Sequence, residues 1–342
     1  MEKINWSDII GHKEKVTQIR EMIKAGQFPN SVIFSGAAGI GKRKIAEIAA
    51  MSILCESDNS PCGHCNSCRT FIAESHPDFY YLEPDRSKAN PIIRIEQIRN
   101  LQKEVSLMPV LSNQRMVIIN DAEYMNSAAQ NCLLKTIEEP QGQSKFILIT
   151  ANRSRLLMTI RSRCIIINFE RLTETDVKLG LEAQNIDNAA KIAVISNGSL
   201  GEAIKLAAND GLQIREDVLK FIEMLDNLTI EDIFSKGYTL STQFEKPKEN
   251  FKDWLINFQK FLRDLLIISD NNIDKEFYYN RDLKSRLIKL NSKFEDSIIF
   301  DMLHESTEIQ RRLNSNANLE LLIESFFIKL KNIIRDNREL PF

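Results

Sequence analysis

Two rhythms of apolar and polar positions divide the chain. Up to about residue 170, short runs that are apolar at every position recur between polar segments: Val32–Phe34, Phe79–Leu82, Met116–Ile119, Phe146–Ile149 and Ile165–Ile167. Such runs suit strands buried on both faces, as in a parallel sheet. Between them, Lys42–Leu54, Ile95–Leu107 and Asn126–Glu138 read as helices, and the alternation predicts an α/β sheet wound with crossover helices. From Thr173 the pattern turns helical. Thr173-Glu174-Thr175-Asp176 supplies a cap and an acidic first turn, and Asn197-Gly198-Ser199 ends one helix and begins the next. After Gly211 only Gly237, Pro247 and Pro341 interrupt the chain, while Phe221, Ile222, Leu225, Phe258, Phe261, Leu262, Leu265 and later Leu321, Leu322, Phe326, Phe327 and Leu330 repeat at three and four. The predicted organisation is α/β plus all-α: a parallel-sheet domain over 1–170, a small helical domain over 171–210 and a helical bundle over 211–342.

Composition adds mainly exclusions. The 342 residues carry a formal charge of -2 with the two signs interleaved, so no basic tract declares nucleic-acid binding by itself. Lys284, Arg286 and Lys289, following Arg281, form a cluster too ordinary to mark a DNA site. No apolar stretch reaches the roughly 18 residues of a membrane span. The opening Met-Glu-Lys-Ile-Asn-Trp lacks a basic start followed by an apolar run, so the expectation is a cytoplasmic protein whose thiols stay reduced.

In that setting Cys55, Cys62, Cys65 and Cys68 become informative. Their Cys-x6-Cys-x2-Cys-x2-Cys spacing gathers four soft thiolates around one turn, as a closed tetrahedral zinc site requires. Two disulfides are the alternative. His64 and His76 lie close enough to replace a thiolate, but four cysteines already fill four positions. A site with no open coordination position is structural.

Ser35-Gly36-Ala37-Ala38-Gly39-Ile40-Gly41-Lys42-Arg43 follows a predicted strand and opens a predicted helix, the context in which Gly-x4-Gly-Lys signifies a phosphate loop. Gly36, Gly39 and Gly41 let backbone N–H groups wrap an anion, and Lys42 can reach the terminal phosphates. The next position, which needs a hydroxyl to hold magnesium, is Arg43. After Met116–Ile119, Asn120 and Asp121 stand where an active enzyme carries Asp-Glu: a neutral amide binds a hard cation poorly, and Asp121 is one methylene short. Gly201, after Gly198-Ser199, stands where active relatives of this architecture place an arginine that meets the terminal phosphate. Together these changes predict a cleft that binds ATP or ADP weakly or not at all and hydrolyses poorly.

The phosphate loop, the four-cysteine insertion behind its helix, His76-Pro77-Asp78, the run from Asn131 to Pro140 (Asn-Cys-Leu-Leu-Lys-Thr-Ile-Glu-Glu-Pro) and Ser162-Arg163-Cys164 occur in the order found in bacterial clamp-loader subunits of the AAA+ class. The chain resembles the delta-prime family of the DNA polymerase III holoenzyme, with motifs from about Trp6 to Glu202. Trp6-x2-Ile9-Ile10-Gly11-His12 is similar to the segment that frames the adenine pocket. The resemblance implies an AAA+ RecA-like domain with a zinc-module insertion, a helical lid and a C-terminal collar. It also implies a hetero-pentamer with gamma/tau-type motor subunits and delta, which opens a sliding clamp and places it on primed DNA.

Ser162-Arg163-Cys164 matches a motif whose arginine enters a neighbour's ATP site, a task suited to a permanently charged planar fork. The resemblance makes Arg163 that finger in trans, with Arg161 in support and Cys164 packed inside. Lys42 is kept here although many members of the family have lost it. Glu138-Glu139-Pro140 reads as a helix end, and Lys135 as a solvent-facing lysine. An ATP-hydrolysing gamma/tau-type motor is the alternative, and an independent zinc nucleic-acid-binding protein a third reading.

Overall fold

The computed structural model describes residues 5–85, 91–139, 143–208, 211–269, 278–313 and 318–338. Pro140, quoted above, lies outside them. The chain divides into two compact units, Met1–Ala189 with Asn197–Glu202, and Ala190–Ser196 with Ala203–Phe342.

In the first unit, β1 (Ser31–Ser35), β2 (Phe79–Leu82), β3 (Arg115–Ile119), β4 (Ser144–Thr150) and β5 (Ile165–Asn168) form a parallel sheet in the order β2-β3-β4-β1-β5. All five apolar runs therefore became strands. Successive residues point to opposite faces: Val32, Phe34, Met116, Ile118, Ile147 and Ile149 pack with one core cluster, and Ile33, Val117, Ile119, Phe146 and Leu148 with another. Helices α1 (Lys13–Lys24), α2 (Lys42–Leu54) and α3 (Asn66–Ile72) serve the first cluster. The second takes α4 (Ile95–Val105), α5 (Ser127–Glu138) and α6 (Met158–Arg161). Burial on both faces explains the absence of alternation in β1, β3 and β4, while the edge strands β2 and β5 stay partly exposed. The phosphate-loop strand β1 lies between β4 and β5. Helix α7 (Glu174–Glu182) starts at Thr173, whose side chain accepts from Asp176 N as its pattern predicts.

Helix α4 ends two residues before the predicted Leu107, and buried Arg115 supplies the reason. Its guanidinium donates to Glu104 O and Met108 O, taking carbonyls that a continuing helix would use. The turn that follows is held from the other side by Asp78, whose carboxylate accepts Val110 N and Leu111 N at 2.7 Å and Ser112 N at 2.8 Å. Leu107, Met108 and Val110 are left 60%, 81% and 76% exposed on this pinned loop.

His76 completes the scaffold: its Nδ1 accepts Asp78 N at 3.0 Å and its Nε2 lies 2.9 Å from Ser67 Oγ, which donates to Leu54 O at 2.7 Å. His76-Pro77-Asp78 thus ties the end of α2, the four-cysteine segment and the approach to β3 together. Burial works to raise the Asp78 carboxyl, but these N–H donors hold it below the usual carboxylate range. Its stabilising contribution is therefore complete above the unfolded carboxyl value and is lost as pH falls through the lower folded value. Replacing Asp78 with alanine is expected to cost about 3–5 kcal/mol, the penalty for stripping the carboxylate from three part-buried N–H donors and from the buried Arg115 guanidinium, whose Nε lies 3.6 Å from Asp78 Oδ1. Urea denaturation at neutral pH reads this; a loss under about 1 kcal/mol would contradict the assignment.

The second unit is helical: α8 (Ala189–Ile195), α9 (Leu200–Ala207), both shared at their ends with the first unit's segments, then α10 (Gly211–Met224), α11 (Ile230–Thr242), α12 (Pro247–Ser269), α13 (Lys284–Asn291), α14 (Asp296–Arg312) and α15 (Leu319–Arg338). Its core is a nest of rings in which Trp254 stacks on Phe258 at 5.3 Å and Phe221 meets Phe327 at 4.5 Å. Arg286 of the basic cluster is paired with Glu216 and Glu223, an intramolecular role. No described helix is long and apolar enough to cross a membrane.

Candidate nucleotide cleft, metal centre and outward arginine

The cleft lies at the carboxyl ends of the strands, where an open α/β sheet offers its crevice. Gly39 and Gly41 sit at φ +74° and +99°, backbone that only glycine adopts without strain. The loop turns its carbonyls toward the lysine: Lys42 Nζ donates to Gly36 O and Ala37 O, both at 2.6 Å. Burial lowers the ammonium to about 8 while Glu123 and Asp121 oppose the fall.

The segment carrying Gly201 lies directly on this loop. Gly201 N donates to Gly39 O at 2.8 Å and Ser199 Oγ to Ala38 O at 3.0 Å. A Cβ on Gly201 would come 2.9 Å from Gly39 Cα, closer than carbon atoms approach. Gly201 is a condition for two backbones to meet, and an arginine at that position would require them to separate. The adenine-framing segment is also packed: His12 Nε2 lies 2.9 Å from Ile40 O, its ring meets Phe169 edge-on, and a Cβ on Gly11 would strike Leu172.

The other altered positions are engaged too. Arg43 pairs with Glu47 at 2.8 Å, approaches Glu83 at 3.6 Å and lies over the Tyr81 ring at 4.7 Å. Asn120 Nδ2 is 3.4 Å from both Glu83 Oε2 and Asp121 Oδ2. The amide thus offers donors toward carboxylates, the opposite of a cation ligand. Asp121 takes a left-handed conformation at φ 51° and caps the short turn Ala122–Tyr124. Glu123, not singled out in the sequence, accepts Ala151 N at 2.9 Å from the end of β4. Only its position two residues past Asp121 hinted at a place near the phosphate loop.

The four cysteines converge as their spacing predicts. Their sulfurs lie within 4.8 Å of one another, with Cys55 and Cys65 at 4.0 Å and Cys62 and Cys68 at 3.9 Å. Tetrahedral thiolate coordination of zinc at about 2.3 Å sets sulfurs about 3.8 Å apart, whereas a disulfide needs about 2.05 Å; all four are free thiols. Ser57 N, Cys65 N and Cys68 N donate to the sulfurs of Cys55, Cys62 and Cys65 at 3.3–3.4 Å. Burial opposes ionisation, but hydrogen bonds at Cys62 bring it down to about 6, while burial leaves Cys55 and Cys68 above the ordinary thiol value. The cluster can hold a metal ion. His64 bonds the Cys62 carbonyl and His76 belongs to the scaffold already described, so neither joins the set.

Arg163 lies just beyond α6, anchored by buried Ile160 and Cys164. Its Nε pairs with Glu138 at the end of α5, and its Nη1 donates to Thr159 O at 3.1 Å. The side chain is 40% exposed. The sequence offered no sign of the Glu138 partnership, since 25 residues separate the two. Arg161 is half-buried, with its Nε enclosed and without a hydrogen-bond partner among the described residues.

The family model described as DNA polymerase III, delta subunit matches residues 11–173, which span the whole sheet, the metal cluster and Arg163. DNA polymerase III subunit delta' of Bacillus subtilis is 28% identical over 340 residues, covering 96% of this chain and 99% of that one. Along nearly its whole length the chain is similar to a delta-prime subunit of DNA polymerase III. Subunit delta' of Pseudomonas aeruginosa is 40% identical over 141 residues, 41% of this chain and 42% of the relative. DNA polymerase III subunit tau/gamma of Haemophilus influenzae is 26% identical over 269 residues, 73% of this chain but 38% of that protein. These relatives are all subunits of DNA polymerase III.

Proposed function

We propose that this chain is a delta-prime subunit, the largely non-hydrolysing stator of the cytoplasmic clamp loader, lending Arg163 to the ATP site of a neighbouring gamma/tau-type motor subunit. The complex is the hetero-pentamer with delta that loads the sliding clamp on primed DNA. In this reading residues 171–210 act as a lid fixed on the phosphate loop, residues 211–342 join the collar, and Cys55, Cys62, Cys65 and Cys68 hold a structural zinc ion. Ile230, Phe234 and Tyr238, exposed at four-residue spacing on α11, suit a collar helix that meets other subunits.

The observation that carries the proposal is the backbone contact between Gly201 and Gly39. It closes the loop where terminal phosphates would sit, removes room for a cis arginine, and joins the loss of magnesium ligands at Arg43 and Asn120. The match to tau/gamma keeps the motor alternative worth testing. The isolated chain is expected to show no magnesium-dependent ATP turnover above the level of its Lys42→Ala variant. Sustained turnover abolished by Lys42→Ala would establish the motor instead.

A further inference from the structure

We propose that Glu138 is the positioning residue for Arg163, fixing the guanidinium so that its outer nitrogens face a neighbour's phosphate. The inference rests on the reading of Arg163 as a finger in trans.

Glu138 is the last residue of α5, where the helix presents partial negative charge and a carboxylate is disfavoured. Its pairing with Arg163 Nε offsets that placement. With Nη1 also donating to Thr159 O, the fork is held on its inner side, and Nη2 has no hydrogen-bond partner among the described residues. The free edge is the one that bonds phosphate oxygens in pairs.

Both ends of the ion pair are fixed to one core. Leu133 and Ile137 anchor α5, and Ile160 and Cys164 anchor the arginine segment, within the same buried cluster. Arginine and glutamate are 40% and 42% exposed, and a pair so open to solvent adds little stability. What it supplies is orientation: a long side chain with many rotamers is confined before a partner arrives, which lowers the ordering needed at the transition state.

The test uses the reconstituted loader whose other motor sites carry a disabling phosphate-loop lysine substitution, so that only the site beside this chain turns over ATP. Glu138→Ala is expected to lower kcat about tenfold with KM changed less than twofold, a part of the roughly 10²-fold that a full 1 Å misplacement of a catalytic group can cost, because Thr159 O still holds Nη1. Glu138→Gln, which keeps an acceptor, is expected to recover part of the loss, and melting of the free chain is expected to be unchanged. In an Arg163→Ala background, Glu138→Ala is expected to have no further effect. Turnover at or above the parent level in Glu138→Ala, or an equal loss in both backgrounds, would overturn the inference. Failure of the underlying reading is recognised separately, by Arg163→Ala leaving turnover unchanged, and would remove this inference with it.

Discussion

Removing the metal from the four-thiolate site, by chelation or by replacing Cys68 with serine, is expected to lower the melting temperature of the chain by on the order of 10 °C. Structural zinc contributes about 10–16 kcal/mol to the folding of isolated zinc-finger peptides. Only part of that reaches the whole unit here, because other contacts also fasten the module. Ser67 Oγ bonds Leu54 O, and Phe71 packs at 4.4 Å from Phe79. A residual loss of several kcal/mol, at about 2–4 °C per kcal/mol for a unit of this size, gives the stated fall. Cys68 is the ligand to replace because it is fully buried and linked by its backbone to the Cys65 sulfur. Chelator-free protein is expected to contain one zinc per chain and Cys68→Ser none. Protein that contains no metal, and melts at the same temperature with and without chelator, would contradict the assignment.

Much of this architecture was legible because it depends on local chemistry. Continuous apolar runs became strands of one parallel sheet, Thr173 capped its helix, and cysteines two residues apart converged. These outcomes need neighbours in sequence and a solvent-driven core. What the sequence concealed were long-range partnerships. Asp78 was visible only as part of a motif; that it gathers three amides of a distant loop depends on β2 and β3 lying side by side. Gly201 was legible as a missing arginine, but its packing on Gly39 follows from a backbone approach that no residue type encodes. Glu138 looked like an ordinary helix end because its partner comes from the segment after β4. The predicted end of α4 overshot for the same reason, since Arg115 intercepts its carbonyls from outside the helix.

Replacing Arg163 with alanine is expected to have the largest effect on activity. An arginine that enters from a neighbouring subunit is worth about 10³–10⁵ in phosphoryl transfer, because it neutralises charge that develops only in the transition state. The substitution leaves Ile160 and Cys164 in the core and removes an exposed side chain, so folding and assembly are expected to persist. Arg163→Lys keeps the charge but loses the planar fork, and is expected to restore little.

The measurement that tests this division of labour most directly is single-site ATP turnover in the reconstituted loader, comparing parent and Arg163→Ala chains at equal assembly. Turnover at the adjoining motor site that falls by about 10³-fold or more is the predicted result; unchanged turnover in a fully assembled complex would contradict the account.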